Sequence, residues 1–336
     1  MKAGALEVPG APRIITADKA RVAVLLSGEG TNMAALLYAS RLPGSPFEIV
    51  LVSGDRPDAP GLVWARSEGV PVLLPEAEQR DKAAFYAQLD AGLRKARVDT
   101  IALAGFMRIL PDDFVAQWDG QILNIHPSLL PRYKGLDTHM KAIEAGDRHA
   151  GCSVHLVNSE VDSGELLGQI SIIIRSGDTP ASLAERVRVA EHQLFPAVLA
   201  DHVSRHQDAT WLERRVDALA ARLPEVTRKT SHGAPGWAVG SDKGGKLFAI
   251  LADRHHGEDA IGLLVKAGGP DEMTSLIEAR PDSYYWPKYY GASGWLGLKL
   301  NRRDVDWDQV AKWLERSWRD RAPTRLTRMI RAADEF

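Results

Sequence analysis

The run Arg21-Val-Ala-Val-Leu-Leu-Ser27 is apolar at every interior position and leads directly into Gly28-Glu-Gly-Thr-Asn32, after which an apolar helix pattern starts at Met33. A strand without polar alternation must be covered on both faces, which is the condition of a parallel strand buried between helices. The pattern recurs. Strands are expected over 47–53, 70–74 and 100–104, with helices over 61–68 and 82–96 between them. Such alternation specifies an α/β unit with a doubly wound, mostly parallel sheet.

From Gln121 the texture changes. Ile122-Leu-Asn-Ile-His126 reads as a strand that stops at Pro127, and Pro127-Ser-Leu-Leu-Pro131 as a rigid turn. A helix over 138–145 follows, then strands over 152–157 and 167–174 on either side of a polar loop, 158–165. A helix over 180–203 closes the unit, with a kink or break expected at Pro196, which lacks the N–H that a helix interior requires. Beyond a polar boundary near 204–210 the pattern becomes that of a smaller α+β domain. Its helices are expected over 211–223, 271–279 and 307–319, and its short strands near 236–239, 246–251, 261–265 and 295–300. Residues 1–19 hold Pro9, Gly10 and Pro12 but no apolar core, which reads as a flexible extension rather than a secretory signal. The expected organisation is therefore an extension at 1–19, a first domain at 20–204, a linker at 205–210 and a second domain at 211–336, and a chain of 336 residues suits two domains.

Composition narrows the function. Residues 1–205 carry 21 Lys+Arg against 25 Asp+Glu, and residues 206–336 carry 21 against 19. Neither half has the basic excess of an electrostatic nucleic-acid binder. Apolar runs such as Val22–Leu26 are far shorter than the roughly 20 residues of a membrane span. The single cysteine, Cys152, excludes an intrachain disulfide and a cysteine-based zinc site, so a cytoplasmic setting is expected. Seven of the nine tryptophans follow Thr210, which sets the second domain apart in composition.

The loop at 27–32 joins a strand to a helix N-terminus, where unpaired N–H groups and the helix dipole favour an anion. Gly28 and Gly30 permit the tight turn, and Thr31 and Asn32 add side-chain donors. A dinucleotide fingerprint needs a third glycine where Met33 stands, and Asp55 lies 27 positions from Gly28. The loop therefore suits a monophosphate better than NAD. Glu29 is compatible with such a site only if it points outward.

Asn124 and His126 lie two apart on a strand and share a face. Pro127 ends that strand at once, placing both at the carboxyl edge where open α/β sheets bind ligands. An amide beside an imidazole can stabilise an oxyanion and manage a proton, although an isolated pair of this kind also serves to satisfy loop backbone. Asp162, in Glu160-Val-Asp-Ser-Gly164, is a natural turn residue whose loop also lets it reach an imidazole. Spacing alone leaves open whether the three meet.

The ordered set Leu25-Leu-Ser-Gly-Glu-Gly-Thr-Asn32, Ala104-Gly-Phe-Met-Arg-Ile-Leu110, Asn124-Ile-His-Pro-Ser-Leu-Leu-Pro131, Gly135-Leu-Asp-Thr-His139, Gly151-Cys-Ser-Val-His155 and Asp162-Ser-Gly164 resembles the phosphoribosylglycinamide formyltransferase family over about residues 20–204. The resemblance implies a Rossmann variant and transfer of the formyl group of 10-formyltetrahydrofolate to the amine of glycinamide ribonucleotide, a step toward IMP in purine biosynthesis. It implies no metal. Asn124, His126 and Asp162 match that family's catalytic trio, and Gly30, Thr31 and Asn32 its substrate-phosphate loop. Arg108, Ile109 and Leu110 match the segment bordering the folate, and Glu191 matches a glutamate that contacts the ribonucleotide. Arg188, three residues before it, stands where some members have glutamine. Sister enzymes acting on initiator methionyl-tRNA or on the folate itself share the Asn-x-His…Asp logic. Pro127 and Gly135-Leu-Asp-Thr-His139 resemble the ribonucleotide branch instead.

In the second domain, Pro235-Gly-Trp237, Gly245-Lys-Leu-Phe-Ala249, Lys266 and the closing helix through Leu314 and Trp318 resemble the MmcQ/YjbR-like family. That family is often described as DNA-binding. The small charge excess of this half argues against a nucleic-acid partner, and Lys299, Arg302 and Arg303 form either a modest basic patch or a solvated turn. A regulatory protein in which the first domain senses a ligand is the alternative to an enzyme. The intact trio beside a phosphate loop favours the enzyme. Oligomeric state is not legible.

Overall fold

The computed structural model describes residues 19–76, 81–240 and 244–328. All but Lys19 of the extension expected at 1–19 falls outside the described residues. The chain divides after Val203 into two compact units.

The first unit runs β1 (Ala20–Leu26), α1 (Thr31–Ser40), β2 (Phe47–Gly54), α2 (Pro60–Ser67), β3 (Val72–Leu73), α3 (Lys82–Lys95), β4 (Thr100–Leu103), α4 (Asp112–Gln117), β5 (Ile122–His126), α5 (Thr138–Glu144), β6 (His149–Leu156), β7 (Leu166–Ile173) and α6 (Pro180–Ser204). The seven strands lie in the order β3-β2-β1-β4-β5-β6-β7. The first five are parallel, while β6 and β7 add antiparallel at one edge. The sheet is thus mixed but mostly parallel, as the unbroken apolar strands require.

Alternate residues of the central strands enter two separate cores. On one face Val22, Val24, Leu26, Ala102, Leu123 and Ile125 pack with apolar residues of α1, α2 and α6. On the other, Ala23, Leu25, Ile101, Leu103 and Ile122 pack with Phe85, Leu89 and Leu93 of α3 and Phe114 of α4. On that second face β5 continues from Ile122 to Asn124 and His126, so an apolar floor gives way to polar groups at the strand's carboxyl end.

The short helix α4 was not anticipated, and its first turn carries Asp112 and Asp113, which suit the positive end of a helix dipole. The helix does not break at Pro196: α6 runs through it to Ser204. A mid-helix proline costs about 3 kcal/mol. Burial of the flanking Leu194, Phe195, Val198 and Leu199 offsets that cost.

The second unit contains α7 (Ala209–Ala220), β8 (Val226–Ser231), β9 (Ala234–Val239), β10 (Lys246–Asp253), β11 (Ile261–Lys266), α8 (Pro270–Ala279), β12 (Tyr284–Tyr285), β13 (Trp295–Lys299) and α9 (Trp307–Arg321). Its strands form an antiparallel sheet in the order β12-β13-β11-β10-β9-β8. Leu212 and Val216 of α7 and Val310, Trp313, Leu314 and Trp318 of α9 join Trp237, Phe248, Leu263 and Val265 in one core. The tryptophan-rich composition therefore serves packing. Residues 205–210 hold a single 3₁₀ turn, Arg205–Gln207, and the start of α7, with the Arg205 guanidinium 5.0 Å from the Trp211 ring. Strand β8 was not anticipated, being short of apolar residues. Among the described residues no helix is long and apolar enough to cross a membrane.

Candidate active site

The loop after β1 is shaped by two glycines from different parts of the chain. Gly30 caps α1 in a left-handed conformation, φ 78°, without a side-chain cap. The first N–H groups of α1 consequently have no partner within the helix. A Cβ on Gly30 would lie 2.6 Å from the Cα of Gly61, and the Gly61 N–H donates to the Gly28 carbonyl at 3.0 Å. The Ser27 hydroxyl accepts from the Met107 N–H at 2.9 Å, tying the loop to the segment after β4. Glu29 is exposed, so its carboxylate is not buried against the α1 N-terminus.

Asn32 reaches across to α6, where its amide donates to the Glu191 carboxylate at 2.8 Å. Burial pushes the Glu191 carboxyl above its ordinary range, while the Asn32 bond and the Arg188 charge oppose that rise. Arg188 pairs with Glu185 at 3.0 Å. The phosphate-loop and α6 residues named from sequence are thus joined through Asn32 and Glu191.

Asn124, His126 and Asp162 also meet. Asp162 holds a left-handed backbone, φ 50°, in the loop between β6 and β7. Its Oδ2 lies 3.3 Å from His126 Nδ1 and accepts the Gly135 N–H at 2.9 Å. Its Oδ1 lies 3.5 Å from the Asn124 amide nitrogen and 3.4 Å from His155 Nε2. Burial opposes ionisation of Asp162, but the His155 and Gly135 hydrogen bonds and the nearby imidazoles outweigh it and hold the carboxyl below its ordinary range. An ionised carboxylate accepts only.

His126 Nε2 lies 3.0 Å from the Tyr133 carbonyl. Both of its ring nitrogens therefore face acceptors, an arrangement in which each N–H of the doubly protonated ring has a partner. His155 sits directly opposite Asn124 in the antiparallel register of β5 and β6. Its Nδ1 lies 2.8 Å from the Leu156 carbonyl, and its Nε2 3.2 Å from the Asn124 amide. Nε2 therefore faces both the Asn124 amide and Asp162 Oδ1, and it can accept from the first or donate to the second but not both at once. Sequence reasoning did not single out His155 as a site residue. A signal existed in the period-two alternation of β6, where Ala150, Cys152 and Val154 are core while Ser153 and His155 share the opposite face.

The three residues after Met107 part ways. The Arg108 guanidinium lies 4.3 Å from the Phe85 ring, and the Tyr86 hydroxyl donates to the Ile109 carbonyl at 3.1 Å. The Ile109 side chain is 78% exposed, whereas Leu110 is buried in the core beneath α3 and α4. Leu110 can meet a ligand only through its backbone. Cys152 is buried, and burial together with the Glu191 charge pushes its thiol up to about 12, which excludes it as a nucleophile near neutral pH. Among the described residues no group of three His, Cys, Asp or Glu could hold a metal ion. In the second unit Arg302 is clasped by Asp304 and donates to Ser283, which reduces the free charge of the basic stretch seen in the sequence.

Residues 20–199 match the formyl transferase family model, and residues 221–320 match the YjbR model. The trifunctional purine biosynthetic protein adenosine-3 of Gallus gallus is 45% identical over 186 residues, which is 55% of this chain but only 18% of that much longer protein. Phosphoribosylglycinamide formyltransferase of Escherichia coli (strain K12) is 36% identical over 197 residues, covering 57% of this chain and 93% of the relative. The crystal structure of the Brucella melitensis phosphoribosylglycinamide formyltransferase is 42% identical, with a TM-score of 0.54, over 56% of this chain and 97% of that one. With the family model matching more than half of its length and a relative of this identity covered almost end to end, the chain belongs to the formyl transferase family.

Proposed function

We propose that the first unit transfers the formyl group of 10-formyltetrahydrofolate to the primary amine of glycinamide ribonucleotide. The observation that carries this reading is the convergence of Asn124, His126 and Asp162 at the carboxyl end of β5. The α1 N-terminus and the Asn32–Glu191 pair offer groups suited to a phosphorylated acceptor. The names of the relatives covered almost end to end point the same way. The proposal includes a formyltransferase domain at 20–204, a linker at 205–210 and a YjbR-like domain at 211–336. It also includes a cytoplasmic setting, supported by the single, buried cysteine.

In this mechanism the substrate amine attacks the formyl carbon, forming an N–C bond and placing negative charge on the formyl oxygen. Asn124 and the His126 imidazolium stabilise that oxyanion. His126 Nδ1 lies 3.3 Å from Asp162 Oδ2, and its N–H is shared between that carboxylate and the oxyanion as the charge develops. Asp162 orients His126 and relays the proton lost by the attacking amine. As the carbon–nitrogen bond to the folate breaks, that proton arrives at the departing nitrogen. Gly30, Thr31 and Asn32 hold the phosphate, Glu191 and Arg188 contact the ribonucleotide, and Arg108, Ile109 and the Leu110 backbone border the folate.

The test is formyl transfer by the full chain, followed as release of tetrahydrofolate from 10-formyltetrahydrofolate with glycinamide ribonucleotide as acceptor. Turnover that collapses in Asp162→Asn supports the reading. Near-normal turnover in Asp162→Asn removes the role given to that carboxylate, and no turnover in the folded wild-type protein removes the acceptor.

A further inference from the structure

We propose that Tyr133, clamped by Asp147 and Arg132, is a positioning residue that sets the hydrogen bonding of His126. The proposal starts from a backbone anomaly. Tyr133 occupies the left-handed region with φ 55°, a conformation that bulky side chains rarely adopt. Such residues persist only where surrounding contacts over-determine them, and they cluster at functional sites.

What the conformation achieves is visible at both ends of a three-residue segment. The Tyr133 carbonyl faces His126 Nε2 at 3.0 Å, and the Gly135 N–H, from a second left-handed residue, donates to Asp162 Oδ2 at 2.9 Å. Residues 133–135 thus supply one acceptor to the imidazole and one donor to the carboxylate that also faces it. The carbonyl is an obligate acceptor, so it selects a ring protonated at Nε2. With Asp162 at Nδ1, the same carbonyl completes the environment of an imidazolium.

What holds the conformation lies on the other side of Tyr133, away from His126. The Tyr133 hydroxyl donates to Asp147 Oδ2 at 2.7 Å. Arg132 donates to Asp147 Oδ1 at 2.8 Å and to the Tyr133 hydroxyl at 2.9 Å, and its guanidinium lies 5.0 Å from the Tyr133 ring. Asp147 is itself fixed, because its N–H donates to the Ala142 carbonyl at the end of α5. The Arg132 carbonyl accepts from the Ser128 hydroxyl at 2.7 Å, which ties the segment back to the end of β5. Neither Asp147 nor Arg132 approaches His126 directly; they act through the Tyr133 backbone.

The titratable groups facing His126 are Asp162, at 3.3 Å, and His139 on α5, whose own ionisation feels the His126 charge, with His155 beyond Asp162. Loosening the clamp removes one acceptor from the ring and leaves these groups in place. The Nε2–H then loses the acceptor that holds it, so the hydrogen bonding of the ring changes at Nε2.

The experiment compares wild type with Tyr133→Phe and Asp147→Asn in the full chain, reading the His126 Nε2 resonance by nitrogen-15 NMR without substrates. His126→Asn assigns the resonance. The expected result, in both variants, is an Nε2 shift that moves away from the hydrogen-bonded wild-type value. In formyl transfer, which rests on the proposed function, kcat falls roughly ten- to a hundredfold with KM for both substrates nearly unchanged. Arg132→Ala removes the one nitrogen that bridges Asp147 and the Tyr133 hydroxyl, and its His126 Nε2 shift falls between wild type and Asp147→Asn. An unchanged Nε2 shift in folded Tyr133→Phe, or in Arg132→Ala if the other variants do not fold, overturns the proposal. The NMR readout needs no acceptor, so it decides the positioning role even if glycinamide ribonucleotide proves not to be the substrate.

Discussion

Gly61 lies outside every sequence motif of the site, yet the loop between β1 and α1, proposed to hold the phosphate, rests on it. In Gly61→Ala the new Cβ would stand 2.8 Å from the Gly30 Cα, 2.9 Å from Leu26 Cδ2 and 3.0 Å from the Gly28 carbonyl oxygen. Two of these neighbours are backbone, so rotamer changes cannot relieve them. Reaching the 3.4 Å of an ordinary contact requires the loop and α2 to separate by about 0.6 Å. Overpacking of this kind costs about 1–3 kcal/mol. Part of it falls on the loop, which carries the α1 N-terminus away from its anion-binding position. Because about 1.4 kcal/mol is a factor of ten in affinity, KM for glycinamide ribonucleotide is expected to rise about tenfold, while KM for 10-formyltetrahydrofolate changes by less than about twofold. Leu89→Ala is the control. It empties a fully buried site on the opposite sheet face and costs about 2–5 kcal/mol without touching the loop. The assay is steady-state kinetics for both substrates alongside circular dichroism and thermal melting. A native Gly61→Ala protein with both KM values at wild-type level, or a Leu89→Ala protein with the same selective defect, refutes the reasoning.

Three further outcomes are expected. Glu191 is a carboxyl raised by burial, so its folded-state stabilisation is complete below the model-peptide value and is lost as pH rises through the raised one. Glu191→Gln should therefore melt above wild type at about pH 7.5 and match it near about pH 4, and a pH-independent difference in melting temperature contradicts this. Native protein at about pH 8 should incorporate almost no iodoacetamide at Cys152 by mass spectrometry, since its thiol is pushed up to about 12 and buried. Rapid stoichiometric labelling would show that burial to be wrong. Trp318→Ala removes a fully buried ring whose Nε1 donates to the Pro224 carbonyl at 3.1 Å, and should destabilise the second unit by about 3–5 kcal/mol in denaturant unfolding followed by tryptophan fluorescence. A loss below about 1 kcal/mol would mean the core relaxes around the gap.

Much of this protein follows from rules that operate within a single element. Unbroken apolar strands imply coverage on both faces, and β1 indeed divides its residues between two cores. Period two places Asn124 and His126 on one face, and a glycine before an apolar helix gives the left-handed cap seen at Gly30. The same local rules allowed a break at Pro196 that does not occur, because they weigh a lost hydrogen bond without the burial that surrounds it. They passed over α4 and β8, whose signals are short.

The assembly of the site depended on pairing between distant segments. Asp162 meets Asn124 across 38 positions of sequence because β6 and β7 return antiparallel and their loop adopts a left-handed turn at Asp162. His155 faces Asn124 through register, which no single strand contains. Gly61 supports Gly30 through a helix packed on a neighbouring loop, and Tyr133 offers its carbonyl to His126 because Asp147 and Arg132 hold it there. Side-chain periodicity is a property of local backbone geometry and can be read along the chain. Register, left-handed turns and backbone clamps are decided by which surfaces meet in three dimensions, so only the folded structure reveals them.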